Sequence, residues 1–212
     1  MKNDIPSLVQ KLGKNNISAF YVENRKQALE QVMSMIPEGS VVGLGDSVTW
    51  RQIGVIDALE KGNFTFLNPW RSGVTSKENI QLKKRALTSD VFVTGTNALT
   101  LDGKIVNTDA LGNRVAAMLF GPEKVIIVIG INKIVKNLEE AFERIRKTAA
   151  PLNVKRHTDF VPMPPCGVKD ECTDCSSPWR ICNKTVIIER QLDNDKYKPI
   201  ITVVIVGEEL GF

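Results

Sequence analysis

A chain of 212 residues with 42% hydrophobic content can bury a substantial core, which excludes a disordered chain and points to one domain, with or without an appendage. The longest apolar run, KVIIVIGI at 124–131, is far short of the ~20 residues that cross a bilayer, and the opening MKNDIPSLVQKLGKNN holds no apolar signal core, so the reading is a cytoplasmic protein without a membrane partner. The 28 basic and 24 acidic residues leave a net charge of +4 that is scattered along the chain, which argues against nucleic acid as a partner.

The first element is an amphipathic helix over IPSLVQKLGKNN, with Ile5, Leu8, Val9 and Leu12 on one side. ISAFYVEN reads as a strand, and Asn24 is placed to cap the helix RKQALEQVMSMI, in which Ala28, Leu29, Val32, Met33 and Ile36 share a face before Pro37 and Gly39 stop it. SVVGLGDSVTWRQIGVIDALEKG predicts a strand, a glycine turn, and one helix with Ile53, Ile56 and Leu59 inside. FTFLNPWRSG adds a short strand and a loop whose Trp70 either covers the core or, with Arg71, meets a ligand. SKENIQLKKRALTS follows as a helix.

The stretch from Asp90 to Gly130 carries the densest pattern. DVFVTG is a buried strand ending in Thr94-Gly95-Thr96-Asn97, LTLDGKIV is a hairpin about Asp102-Gly103, and TDALGNR is a polar turn before the helix VAAMLF. Gly121-Pro122 stops that helix, and KVIIVIG is a second buried strand leading to Ile131-Asn132-Lys133. NLEEAFERIRKTAA is a helix with Leu138, Ala141, Phe142 and Ile145 on one stripe. From Pro151 to Asn183 the chain turns polar, Pro-rich and irregular, which reads as a cysteine-rich insert at 151–183. TVIIERQ and PIITVVIVGEEL then read as an antiparallel strand pair joined by LDNDKYK. The alternation of strands and helices makes the class α/β, a mostly parallel sheet covered on both faces with the hairpin as an antiparallel inset.

Three segments are candidates for one pocket at the carboxyl edge of that sheet: Gly43 to Ser47, Thr94 to Asn97, and Gly112-Asn113-Arg114. Gly43 and Gly45 allow close backbone approach and Ser47 and Thr49 offer hydroxyls, although a tight strand-to-helix turn with Asp46 or Ser47 as its cap explains the same residues. The G-x-G lacks the third glycine of a dinucleotide site, so NAD is not predicted. Arg114 is the expected anion clamp, with the rival reading that Asn113 and Arg114 cap and solvate a helix. Lys133 is either an anion contact or a solvated lysine, while Asp102 and Asp109 serve either as acid-base groups or as turn residue and cap. His157, the one histidine, has no partner at metal or triad spacing and reads as a loop residue. Cys166, Cys172, Cys175 and Cys182, spaced C-x5-C-x2-C-x6-C, suit a thiolate site for zinc or an iron-sulfur cluster, with disulfides or free thiols as the alternatives.

GLGDSVT, the run from Val93 to Val135 and CTDCSSPWRICN together resemble the LUD-domain family of lactate-utilisation proteins, over nearly the whole chain. That resemblance implies a single three-layer domain similar to ribose-5-phosphate isomerase, glucosamine-phosphate deaminase and CoA-transferases, with the ligand near the Gly43 to Thr49 loop. It also implies a role in oxidation of L-lactate to pyruvate beside iron-sulfur partner proteins. Two functions are therefore expected as rivals: an accessory or electron-transfer component with a cysteine-held metal, and a small-molecule enzyme taking an anionic substrate. A ligand-binding sensor without catalysis is the third reading, and the residues leave a homo-oligomer open.

Overall fold

The computed structural model describes residues 4–212. Helix α1 (Ile5–Lys14) buries Ile5, Leu8 and Leu12, and strand β1 (Ser18–Val22) leads into α2 (Arg25–Ser34), whose cap is the expected one: the Asn24 side chain accepts the backbone N-H of Gln27. Strand β2 (Val41–Leu44) is followed by two short helices, α3 (Val48–Gln52) and α4 (Val55–Lys61), in place of the single helix read from the sequence. The break falls at Gly54, whose φ of 85° is left-handed and cannot continue a right-handed helix. Then come β3 (Thr65–Leu67), α5 (Ser76–Arg85), β4 (Val91–Thr94), β5 (Ala98–Thr100), β6 (Ile105–Asp109), α6 (Asn113–Leu119), β7 (Lys124–Gly130) and β8 (Ile134–Val135).

Six strands form a wholly parallel sheet in the order β1, β10 (Ile201–Val206), β7, β4, β2, β3. Side chains alternate across it. Val125, Ile127 and Ile129 of β7 join Ile201, Val203 and Ile205 of β10 in one core, while Ile126, Val128, Val204 and Val206 enter the other with α2, α3 and α4. The first core is closed by α1, α5, α6 and a second sheet of four strands, β8-β5-β6-β9 (β9 is Lys184–Ile188). The hairpin is thus not an inset in the main sheet but the centre of its own, and its far face packs Ala98 and Val106 on Ala141 and Ile145. Three layers result, and no helix among the described residues is long and apolar enough to cross a membrane.

Two further expectations are corrected. The last two apolar runs do not pair: β9 lies antiparallel to β6, and β10 is inserted parallel between β1 and β7. Burial explains the division, since β10 is apolar on both faces and needs cover on both, whereas β9 buries little beyond Ile188. The helix of α7 (Leu138–Arg144) also does not end before Pro151. A wider π turn, Ile145–Ala149, carries it into α8 (Ala150–Lys155), with Pro151 just after the widened turn. A last short helix, α9 (Pro165–Lys169), carries Cys166.

Candidate functional site

Parallel strands put all their carboxyl ends on one edge, and the turns after β2, β4 and β7 meet there. Gly95 makes the approach tight, because a Cβ on it would stand 2.4 Å from Ser47 Oγ, and one on Gly45 would stand 2.4 Å from Thr94 Oγ1. Around this junction lies a cavity of about 540 Å³. Of the residues singled out from sequence it is lined by Asp46, Ser47, Gly95, Thr96, Asn97, Asp109, Asn113, Arg114 and Lys133, so the three segments do share one site. The others stand behind it: Gly43 packs on Ala86, Gly45 on Thr94, Gly112 on Lys184, and Thr49 supports Lys133. Asp102 is held in the hairpin turn by Thr100 and Lys104 and takes no part in the cavity.

Arg114 is not the free clamp that the sequence suggests. Its Nε donates to Asp109 at 2.9 Å, one terminal nitrogen donates to the carbonyl of Gly95 and to Asn107 Oδ1, and the other donates to Asn97 Oδ1 and the carbonyl of Thr108. All five N-H donors of the guanidinium are spent on the protein. Asp109 also accepts the backbone N-H of Arg114, and Asn97 Oδ1 accepts that of Thr108. Arg114, Asp109 and Asn97 therefore clasp the second sheet to α6, and Thr96 is likewise spent on the carbonyls of Ala98 and Val106.

Two of the predicted polar groups keep free capacity. Ser47 Oγ is buried without a hydrogen-bond partner. Lys133 is 3% exposed, donates to Thr49 Oγ1 at 2.9 Å, and has no ion pair among the described residues. Burial, and then the charges of Arg144 and Arg114, push its pKa down to about 7. Arg144, which reaches from α7 to the carbonyls of Asn132 and Asn97, is itself lowered to about 10 by burial. Lys83 of α5 also lines the cavity, half-buried, with its pKa lowered by burial against the opposing pull of Asp109. The region thus gathers more positive charge than its carboxylates neutralise.

The opposite wall comes from residues the sequence reading missed or set aside. His157 stacks on Phe160 at 4.6 Å and Phe160 on Trp179 at 5.2 Å, with the Trp179 indole N-H bound to the carbonyl of Val161. Burial and then the Arg156 charge lower the His157 pKa, with Asp159 opposing. Arg156, also on the cavity lining, pairs with Asp46 and donates to Asn153, so the Asp46 carboxylate is compensated there. Trp70 lies on the cavity and tilts against the buried Trp50, with the Arg51 guanidinium against both rings. The sequence signals for this wall are the Pro-Trp-Arg of the cysteine segment and the continuation of the helix past Pro151, which delivers Asn153, Arg156 and His157 together.

All four cysteines are free and partly buried. Burial raises the Cys166 thiol, and the other three cysteines add to the shift; burial also raises Cys182, against the pull of Arg180. Arg180 ties the segment together, donating to the carbonyls of Cys175 and Cys182 and pairing with Asp174 at 2.8 Å. Cys172 and Cys182 line a second cavity of about 450 Å³ that shares Arg180 with the first. Among the described residues no three His, Cys, Asp or Glu side chains are gathered as a metal site.

Fold and site together define a three-layer α/β protein with a cavity lined by cationic side chains at the carboxyl edge of a parallel sheet. The LUD domain matches residues 5–206, and the chain belongs to that family. Among solved structures it is similar to the crystal structure of a DUF162 family protein from Deinococcus radiodurans, with a TM-score of 0.53 and 12% identity over 97% of each chain, a likeness of fold. No curated protein matches it in sequence.

Proposed function

We propose that this protein binds a small organic anion, a 2-hydroxy or 2-keto acid, in the 540 Å³ cavity. The observation that carries the reading is the buried charge: Arg144 and Arg114 both bear on Lys133, and among the described residues Asp109, paired with Arg114, is the one carboxylate bonded within that group. An uncompensated cation is costly in an interior, and an entering carboxylate relieves that cost. Lys83 and the unpartnered Ser47 hydroxyl add a further cation and a donor to the cavity lining. Membership of the LUD-domain family, whose sequence resemblance is to lactate-utilisation proteins, supports L-lactate or pyruvate as the ligand class.

The test is titration of the protein with L-lactate, pyruvate and inorganic phosphate, followed by the fluorescence of Trp70 and Trp179, which line the cavity. Saturable binding of a carboxylate, weakened about tenfold or more in Lys133→Met, is expected. No response to any of the three at millimolar concentration would overturn the reading.

A role as a component of L-lactate oxidation, docking to iron-sulfur partners and holding zinc or a cluster of its own, rests on a different observation. Four free thiols lie in one segment, and its Trp179 and Arg180 form part of the cavity wall. Metal analysis tests that proposal separately.

A further inference from the structure

Lys133 sits on the tight turn Ile131–Lys133 directly after β7, where the central strand opens into the cavity. Its one side-chain hydrogen-bond partner among the described residues, Thr49 Oγ1, donates its own proton to the carbonyl of Leu210 at 3.3 Å. The hydroxyl must therefore accept from the amine, and the nitrogen lone pair is not engaged there. Gly211 packs directly on this contact, since a Cβ there would stand 2.9 Å from Nζ and 2.5 Å from Thr49 Oγ1, so a larger residue would displace the pair. The charged groups that bear on Lys133 are Arg144 from α7 and Arg114 from α6, both cations, and both disfavour an ammonium.

We propose that Lys133 is a nucleophile that condenses reversibly with the carbonyl of a 2-keto acid bound in the cavity. The inference rests on the organic-anion reading of the cavity and deepens it. A buried amine next to other cations is the form of lysine that attacks carbonyls at neutral pH. With its pKa near about 7, Lys133 carries about a thousandfold more neutral amine at pH 7 than a lysine at the ordinary value. The Nζ lone pair attacks C2 of the keto acid and a C-N bond forms. Both amine hydrogens leave with the carbonyl oxygen as water, and an imine remains, with no change of oxidation state. The carboxylate is held meanwhile by the positive field of Lys83, Arg114 and Arg144.

Incubation of the intact protein with pyruvate and sodium cyanoborohydride at pH 7, followed by peptide mapping, tests this directly. The borohydride reduces the imine to a stable secondary amine, so one carboxyethyl group on Lys133 is expected, far in excess of any exposed lysine. L-Lactate, which has no carbonyl, should compete without forming an adduct, and Lys133→Arg should bind pyruvate without being modified. Fluorescence-detected pyruvate binding with no adduct on Lys133, or labelling spread over the surface lysines, would overturn the nucleophile while leaving the anion site intact. Absence of binding by both pyruvate and L-lactate would overturn the two together.

Discussion

Replacing Lys133 with Met should make the ligand-free protein more stable and change how its stability depends on pH. Methionine keeps the length of the chain and removes the amine from a site that is 3% exposed. The folded pKa falls from 10.5 to about 7. At ~1.36 kcal/mol per unit, burial of the charge costs at most roughly 5 kcal/mol at acid pH. Because the folded pKa of a base is depressed, the unfolded chain binds the extra proton between pH 7 and 10.5, so this contribution makes stability rise with pH through that window. Between about pH 7 and about pH 9 the gain from Lys133 alone comes to about 2 kcal/mol. Urea unfolding at those two pH values, followed by the fluorescence of buried Trp50, measures it. The wild type should gain about 2 kcal/mol relative to Lys133→Met, with the cysteine titrations common to both and cancelling in the difference. Parallel pH dependences would refute the argument and show that Lys133 titrates like a surface lysine.

Arg114→Met should destabilise the protein by about 2–4 kcal/mol, because it leaves the partly buried Asp109 carboxylate without its ion-pair partner and strips Asn97 and Asn107 of a donor; a loss under about 1 kcal/mol in thermal or urea unfolding would contradict the clasp role. For the cysteines, anaerobically purified protein should carry zinc or iron that is lost in the Cys172→Ser, Cys175→Ser double variant, and metal-free wild type would leave plain thiols.

The α/β class, the cap at Asn24 and the two long buried strands were legible in the chain because each rests on local rules: a period of two or 3.6, a capping oxygen, a two-faced apolar run. The convergence of Ser47, Gly95, Asn97 and Lys133 was legible as well, since parallel strands force their carboxyl ends onto one edge. The family resemblance carried by GLGDSVT and the run from Val93 to Val135 also proved sound.

Roles within the site depended on what only the folded chain brings together. Sequence alone placed Arg114 at the cavity, but whether a guanidinium is a ligand clamp or a structural clasp depends on how many acceptors surround it, and those come from two separate stretches, 95–97 and 107–109. The same holds for Lys133, whose burial and neighbouring cations arise from α6 and α7 folding over the end of β7. Strand pairing was settled at that level too: β9 and β10 are neighbours in sequence, yet the two-faced burial that β10 needs exists at the middle of the large sheet and not beside β9. Local pattern thus determined which elements form and which face each must bury, while the accounting of charges and hydrogen bonds, a sum over distant segments, was decided by tertiary structure.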